Sequence, residues 1–237
     1  MTPRWLLISD IDGTLTGDDA ALRTLMQQLR EKRQAIGFGV ASGRSPELVR
    51  EAVTEFGLNE PDLMIASVGT EILGPDGIGE RYRAHIDVAW DREAVMTALD
   101  GLPDVEPQGP EGQRPFKVSF NAPLSAVTAA REVLERAGLK VKLLHSHGAF
   151  LDVLPAKASK GEAVRFVAQA LEIPLTQVVV AGDSGNDADM LTCGARAVVV
   201  GNHDPELLPV LAGTDVYRAR GHHAAGVLEG LEHFGAL

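Results

Sequence analysis

The chain has 237 residues, 45% of them hydrophobic and 23% charged, with 25 Gly, 13 Pro and a single Cys. Its formal charge of −11, from 22 Lys and Arg against 33 Asp and Glu, comes with no run of cations, which argues against nucleic-acid and membrane partners because both need clustered Lys and Arg. No apolar stretch approaches the roughly 20 residues that span a bilayer; residues 1–8 are too short for a secretory signal, and Cys193 has no partner for an internal disulfide. The expectation is a cytoplasmic globular protein, a monomer or weak dimer, with one large core or a core plus a smaller insert.

Trp5-Leu-Leu-Ile-Ser-Asp10 is a short apolar run ending in polar residues, the pattern of a strand buried on both faces. Leu22, Leu25, Met26 and Leu29 recur at helical spacing and predict a helix over residues 20–33. Residues 36–41 read as a strand, 46–56 as a helix and 62–66 as a third strand. The middle of the chain differs. Residues 116–120 and 150–154 alternate apolar and polar side chains with period two, as a sheet with one wet face requires. Helical stretches are expected over 92–102 and 126–137, and the Pro/Gly-rich run 102–115 reads as an exposed loop. Beyond it, a helix is predicted over 160–171, a strand over 178–181, a helix from 187 to 191, a strand over 197–200 and a helix over 205–211. Strands alternating with helices predict an α/β fold, a Rossmann-like doubly wound parallel sheet. An α+β domain is inserted in it, with the first core part at 1–80, the insert at 81–157 and the second core part at 158–237.

Asp10-Ile-Asp12-Gly13-Thr14 follows an apolar strand directly. In an extended segment, positions i and i+2 point the same way. Asp10 and Asp12 would then face the crevice beyond the carboxyl ends of the strands, where α/β proteins bind ligands. A second acidic group, Gly182-Asp183-Ser-Gly-Asn186-Asp187, follows the strand 178–181. Parallel strands bring both groups to one edge. Two carboxylates about 4 Å apart repel by about 4 kcal/mol at an effective dielectric near 20, so such a cluster stays ionised only beside a cation. All-oxygen donors favour Mg²⁺. The plainer reading, acidic residues that merely cap helices, accounts for one Asp and not for two clusters.

Two further segments supply donors. Ser42-Gly43-Arg44 closes the second strand just ahead of a helix, where a hydroxyl and free backbone N–H groups suit an anion. Lys160 opens a helix, the end at which the dipole favours anions, so a cation there points to another duty, such as neutralising a phosphoryl group.

Together Asp10–Thr14, Ala41-Ser42-Gly43-Arg44, Ser159-Lys160-Gly161 and Gly182–Asp187 resemble, in order and over nearly the whole chain, the four motifs of the haloacid dehalogenase superfamily. The insert is similar to that superfamily's type C2 cap. The resemblance implies that Asp10 is a nucleophile that becomes aspartyl phosphate, and that Asp12 protonates the leaving alkoxide and then activates water. It implies that Ser42, Gly43 and Lys160 bind the phosphoryl group. Mg²⁺ would be held by Asp10, the Asp12 carbonyl and Asp183, with Asp187 supporting its water shell. Dehalogenase members lack an acid at the Asp12 position, so its presence argues for phosphate ester hydrolysis.

Residues 5–10, 61–71, 115–119, 151–155 and the C-terminal His223-Ala-Ala-Gly-Val-Leu-Glu-Gly-Leu resemble the sucrose-phosphate phosphatase subgroup. That implies a small-molecule sugar phosphate as partner, sucrose 6-phosphate first, with mannosylfructose phosphate, a sugar phosphomutase and a receiver-like signalling domain as alternatives. In the insert, Lys117 leaves the apolar face and, with Glu71 and Asp152, is a candidate for sugar hydroxyls. His145 and His147 could share a strand face, with His147 near the sugar, but lack a third metal ligand. His203, His222 and His223 read as loop or helix-start residues, and Cys193 as packed.

Overall fold

The structure, a computed structural model, describes residues 4–146, 148–205 and 207–237. Strand β1 (Trp5–Ser9) pairs in parallel with β2 (Ile36–Ala41) on one side and β9 (Val178–Gly182) on the other. Between and after them the chain runs α1 (Asp19–Glu31), α2 (Pro46–Glu55), β3 (Leu63–Ala66), β4 (Glu71–Leu73) and α3 (Ile78–Ile86). Next come α4 (Arg92–Leu99), β5 (Glu106–Pro107), β6 (Val118–Asn121), α5 (Val127–Arg136), β7 (Val141–Ser146) and β8 (Phe150–Pro155). The last part holds α6 (Lys160–Ala170), α7 (Ala188–Leu191), β10 (Arg196–Val199), α8 (Leu207–Val210), β11 (Val216–Arg218) and α9 (His223–His233).

The large sheet has the order β11-β10-β9-β1-β2-β3-β4, parallel except for β4 at its edge. Because neighbouring side chains on a strand face opposite ways, each strand feeds two cores. Leu6, Ile8, Ile65, Val178 and Val180 pack on one side with α3, α6 and α7. Leu7, Phe38, Val40, Val179 and Ala181 pack on the other with α1, α2 and α9. Local signals fix the helix starts: Asp18 accepts from the Ala20 and Ala21 N–H groups ahead of α1, Ser45 caps α2 with Pro46 in its first turn, and Ser159 caps α6.

The second sheet, β5-β6-β8-β7, is antiparallel. Val118, Phe120, Leu151 and Val153 turn toward α4 and α5, which bury Val95, Leu99, Ala130 and Leu134 against them. The alternating residues Ser119, Asp152 and Leu144 turn the other way, toward the large sheet's carboxyl edge. Two sequence expectations shift. The insert boundary expected at residue 81 falls within α3, whose Ile78, Tyr82 and Ile86 join the same core as α6. The run 102–115 is not all exposed loop. It contributes β5 and a single 3-10 turn, Pro110–Gly112, held by the Gln113 amide donating to the Gln108 and Ser119 carbonyls. No described helix is long and apolar enough to cross a membrane.

Candidate active site

The carboxyl ends of β1, β2 and β9 meet under the second sheet around a cavity of about 510 Å³. The Asp10 N–H donates to the Ala181 carbonyl at 2.9 Å, which ties the turns after β1 and β9 together. The Asp10 side chain is buried, and its Oδ1 accepts from Lys160 Nζ at 2.7 Å. Lys160 is inaccessible to solvent and also donates to Asp187 Oδ1 at 2.7 Å and to Asn186 Oδ1 at 3.0 Å. The other Asp187 oxygen accepts the backbone N–H groups of Asp183 and Ser184, at 3.1 and 3.2 Å. Both Asp187 oxygens are thus engaged by protein donors, and of these three clustered carboxylates Asp10 and Asp183 line the cavity. Asp183 takes a hydrogen bond from Thr14 Oγ1 at 2.7 Å. Gly13, at φ +79°, lies so close beneath that a Cβ there would stand 2.5 Å from Asp183 Oδ2. The left-handed backbone and this close approach together favour glycine there.

Electrostatics follow from the burial. Carboxylate oxygens of Asp10, Asp183 and Asp187 lie within 4.8 Å of one another, and Lys160 compensates one of the three charges. Desolvation pushes Asp10 well above the usual carboxylate range, against the pull of Lys160 and with the push of Asp187. Asp183 is raised to about 6, chiefly by burial, with Asp187 adding and the Thr14 hydrogen bond opposing. Burial works against the Lys160 ammonium, but Asp10 and Asp187 outweigh it and hold its pKa above the ordinary lysine value. The oxygen-only donor set and its uncompensated negative charge fit a hard divalent cation.

Asp12 lies at the same cavity, though not by strand periodicity. β1 ends at Ser9, and the chain then coils so that the Leu15 N–H donates to the Ile11 carbonyl at 2.9 Å and Ile11 turns into the core. The Asp12 carboxylate stands apart from the three clustered carboxylates and is gripped by Arg44, with Nε at 2.8 Å from Oδ2 and Nη2 at 2.7 Å from Oδ1. Ser42 is buried at the end of β2 and accepts the Arg44 N–H on its hydroxyl at 3.2 Å, while Gly43 lines the cavity beside it.

The second sheet closes the cavity from above with Gln108, Lys117, Ser146 and Asp152. Lys117 Nζ reaches Asp152 Oδ1 at 3.5 Å, and Ser119 Oγ donates to the same oxygen. Glu71, expected near a sugar, does not line the cavity. Arg114 of the insert takes up its carboxylate with two hydrogen bonds at 2.7 and 3.0 Å, and Ser67 Oγ adds a third at 2.7 Å. His145 is paired with the Ala122 carbonyl on the insert's own backbone, and His147 lies outside the described residues. His203 contacts the Val200 carbonyl, and Cys193 is buried, with its thiol pushed up by desolvation.

Several participants were not singled out from sequence. Arg44 and Asn186 lie inside the sequence motifs, but nothing in the sequence says what they touch. Arg114 carried no signal, because its partners Glu71 and Glu47 lie 43 and 67 positions away.

A parallel sheet with carboxylates at its carboxyl edge, a lysine from a later helix and an inserted α+β layer together define the haloacid dehalogenase fold. Within it, the family model described as sucrose-6F-phosphate phosphohydrolase matches residues 3–235, and the chain belongs to that family. Sucrose-phosphatase 1 of Nicotiana tabacum is 31% identical over 255 residues, covering 98% of this chain and 59% of that protein. The chain therefore spans about three-fifths of that relative's length. Mannosylfructose-phosphate phosphatase of Agrobacterium fabrum is 30% identical over 247 residues, covering 99% of this chain and 98% of that one. The sucrose-phosphatase of Synechocystis sp. PCC6803, solved in complex with sucrose and phosphate, superposes with a TM-score of 0.92 at 34% identity, covering 98% of each chain.

Proposed function

We propose that this chain is a Mg²⁺-dependent phosphatase that hydrolyses a disaccharide phosphate, sucrose 6-phosphate first, through an aspartyl-phosphate intermediate. The observation that carries this reading is the buried Lys160 ammonium shared between Asp10 and Asp187 beside the Ser42–Gly43 loop. It supports a carboxylate nucleophile and phosphoryl-binding donors acting at one point.

Asp10 Oδ attacks phosphorus while the ester P–O bond breaks, and the departing alkoxide takes a proton from Asp12. Asp12 then removes a proton from water, which attacks the phosphorus of the acyl phosphate and frees phosphate and the Asp10 carboxylate. For Asp12 to carry the proton of the first step, one of its two contacts with Arg44 must open. Lys160, the Ser42 hydroxyl and the Gly43 backbone hold the phosphoryl oxygens. Asp10, the Asp12 carbonyl and Asp183 would hold Mg²⁺, which when bound would neutralise charge on the transferred group. Lys117 and Asp152, facing the cavity from the insert, meet the sugar hydroxyls, and closure of the insert keeps bulk water from the first half-reaction. A cavity of about 510 Å³ suits a substrate of this size.

Mannosylfructose phosphate is the second reading, favoured by a relative of matching length. Release of inorganic phosphate from sucrose 6-phosphate, mannosylfructose phosphate, trehalose phosphate and hexose phosphates, with and without a chelator, tests both. A disaccharide phosphate should give the highest kcat/KM, and the chelator should abolish release. Preference for a hexose phosphate, transfer to another hydroxyl without release, or turnover indifferent to the chelator would contradict the proposal.

A further inference from the structure

The start of α9 reaches back across the molecule to the turn that carries Asp10 and Asp12. His223 Nδ1 lies 2.8 Å from the Gly13 carbonyl, and Asn202 Nδ2 donates to the same oxygen at 2.7 Å. The Asn202 Oδ1 in turn accepts the His223 backbone N–H at 2.7 Å. A carbonyl only accepts, so His223 carries its proton on Nδ1, and the orientation of the Asn202 amide is fixed by its two partners. His223 itself sits at φ +52°, a left-handed conformation that a histidine adopts at a cost, and such strain persists where surrounding contacts over-determine it. Its ring fills the space beside Gly17, whose Cβ would collide with it.

The same segment holds the other half of the cluster. Asp204 N–H donates to the Asp183 carbonyl at 2.8 Å, and Gly201 N–H donates to the Gly221 carbonyl at 2.8 Å. Residues 201–204 therefore grip both Gly13 and Asp183, and Gly13 is in turn the residue on which the Asp183 carboxylate rests. We infer that Asn202 and His223 are positioning residues. They fix the height of Gly13, through it the Asp183 carboxylate with its Thr14 hydrogen bond, and so the affinity of the carboxylate cluster for Mg²⁺. This inference rests on the proposed reading of Asp10 and Asp183 as the cation's holders. Neither residue touches the reacting atoms.

The test compares His223→Phe, which keeps a ring and removes the donor, with His223→Asn, which retains an N–H at the Nδ1 position and is at ease in a left-handed backbone. Asn202→Asp, which turns a second acceptor on the Gly13 carbonyl, is the third variant. Mg²⁺ binding is measured by calorimetry on the full chain, alongside the Mg²⁺ concentration for half-maximal phosphate release and KM at saturating Mg²⁺. Outer partners of metal ligands are worth about 10-fold or more in affinity. H223F and N202D should therefore weaken Mg²⁺ binding by about 10-fold with KM at saturation little changed, and H223N should stay close to the parent chain. Unchanged Mg²⁺ affinity in H223F and N202D, with only a lower melting temperature, would overturn the inference, as would a folded H223N that binds as weakly as H223F. If the parent chain itself binds no Mg²⁺, it is the cation reading beneath the inference that fails.

Discussion

Lys160 holds a full charge where solvent does not reach, and it is tolerated there because Asp10 and Asp187 each stand 2.7 Å away. A buried ion pair of this kind is costly to break by removing one member, about 3–5 kcal/mol, since the remaining charges are left uncompensated. Lys160→Met should lower the unfolding free energy measured in urea by about that amount and abolish phosphate release. It should also make the chain depend more strongly on added Mg²⁺ for stability. A variant as stable as the parent without divalent cations would show that the ammonium does not neutralise this cluster.

Between elements, Arg114 is one of the contacts that join the insert to the large sheet. Its guanidinium spans Glu71 on β4 and Glu47 on α2, and Lys142 of β7 reaches Asp189 of α7 on another side at 3.3 Å. All three pairs are partly exposed, so their direct stabilising effect is modest. Their consequence is geometric: they set how the face bearing Lys117 and Asp152 lies over Asp10. Arg114→Ala should reduce kcat/KM on the order of tenfold through misplacement of the insert, with little change in melting temperature. Equal loss of stability and activity would indicate general unfolding instead.

The elements legible from sequence are those whose two neighbours impose a clean period. Ile36–Ala41 is buried along its whole length and reads as a strand without ambiguity, and α1 shows its stripe of Leu22, Leu25, Met26 and Leu29. Strand β7 shows in the sequence only through the strand face expected for His145 and His147, because Leu143 packs into the insert's core while Leu144 packs toward the large sheet, so both faces are apolar at its centre. Helix α3 is masked by Gly79, which the close approach of the Ile72 carbonyl demands and which weakens a helical pattern. The acidic cluster and Lys160 were legible because each follows or precedes a strongly patterned element. The roles of Arg44, Arg114, Asn202 and His223 depend on partners distant in sequence, and no local pattern encodes them.

At the scale of the whole molecule, the charge of −11 adds to the crowding of Asp10, Asp183 and Asp187 and would oppose the proposed anionic substrate. A bound divalent cation would relieve both. Asp183 titrates at about 6 in the fold against an ordinary 3.8, so the stability it contributes is complete below 3.8 and is lost as pH rises through 6. Near pH 7.5 without divalent cations, Asp183→Asn should therefore melt higher than the parent chain. Saturating Mg²⁺ should reverse that order: at 100 times Kd, binding adds about 2.7 kcal/mol to the parent, roughly 5–10 °C for a chain of this size, and little to the variant. A parent melting curve indifferent to Mg²⁺ would contradict this. The chemistry itself is tested most directly by acid quench during steady turnover of a sugar phosphate, followed by peptide mass analysis. A phosphoryl adduct is expected on the peptide containing Asp10, absent in an inactive but folded Asp10→Asn. An adduct on another residue, or sustained turnover by that variant, would contradict it.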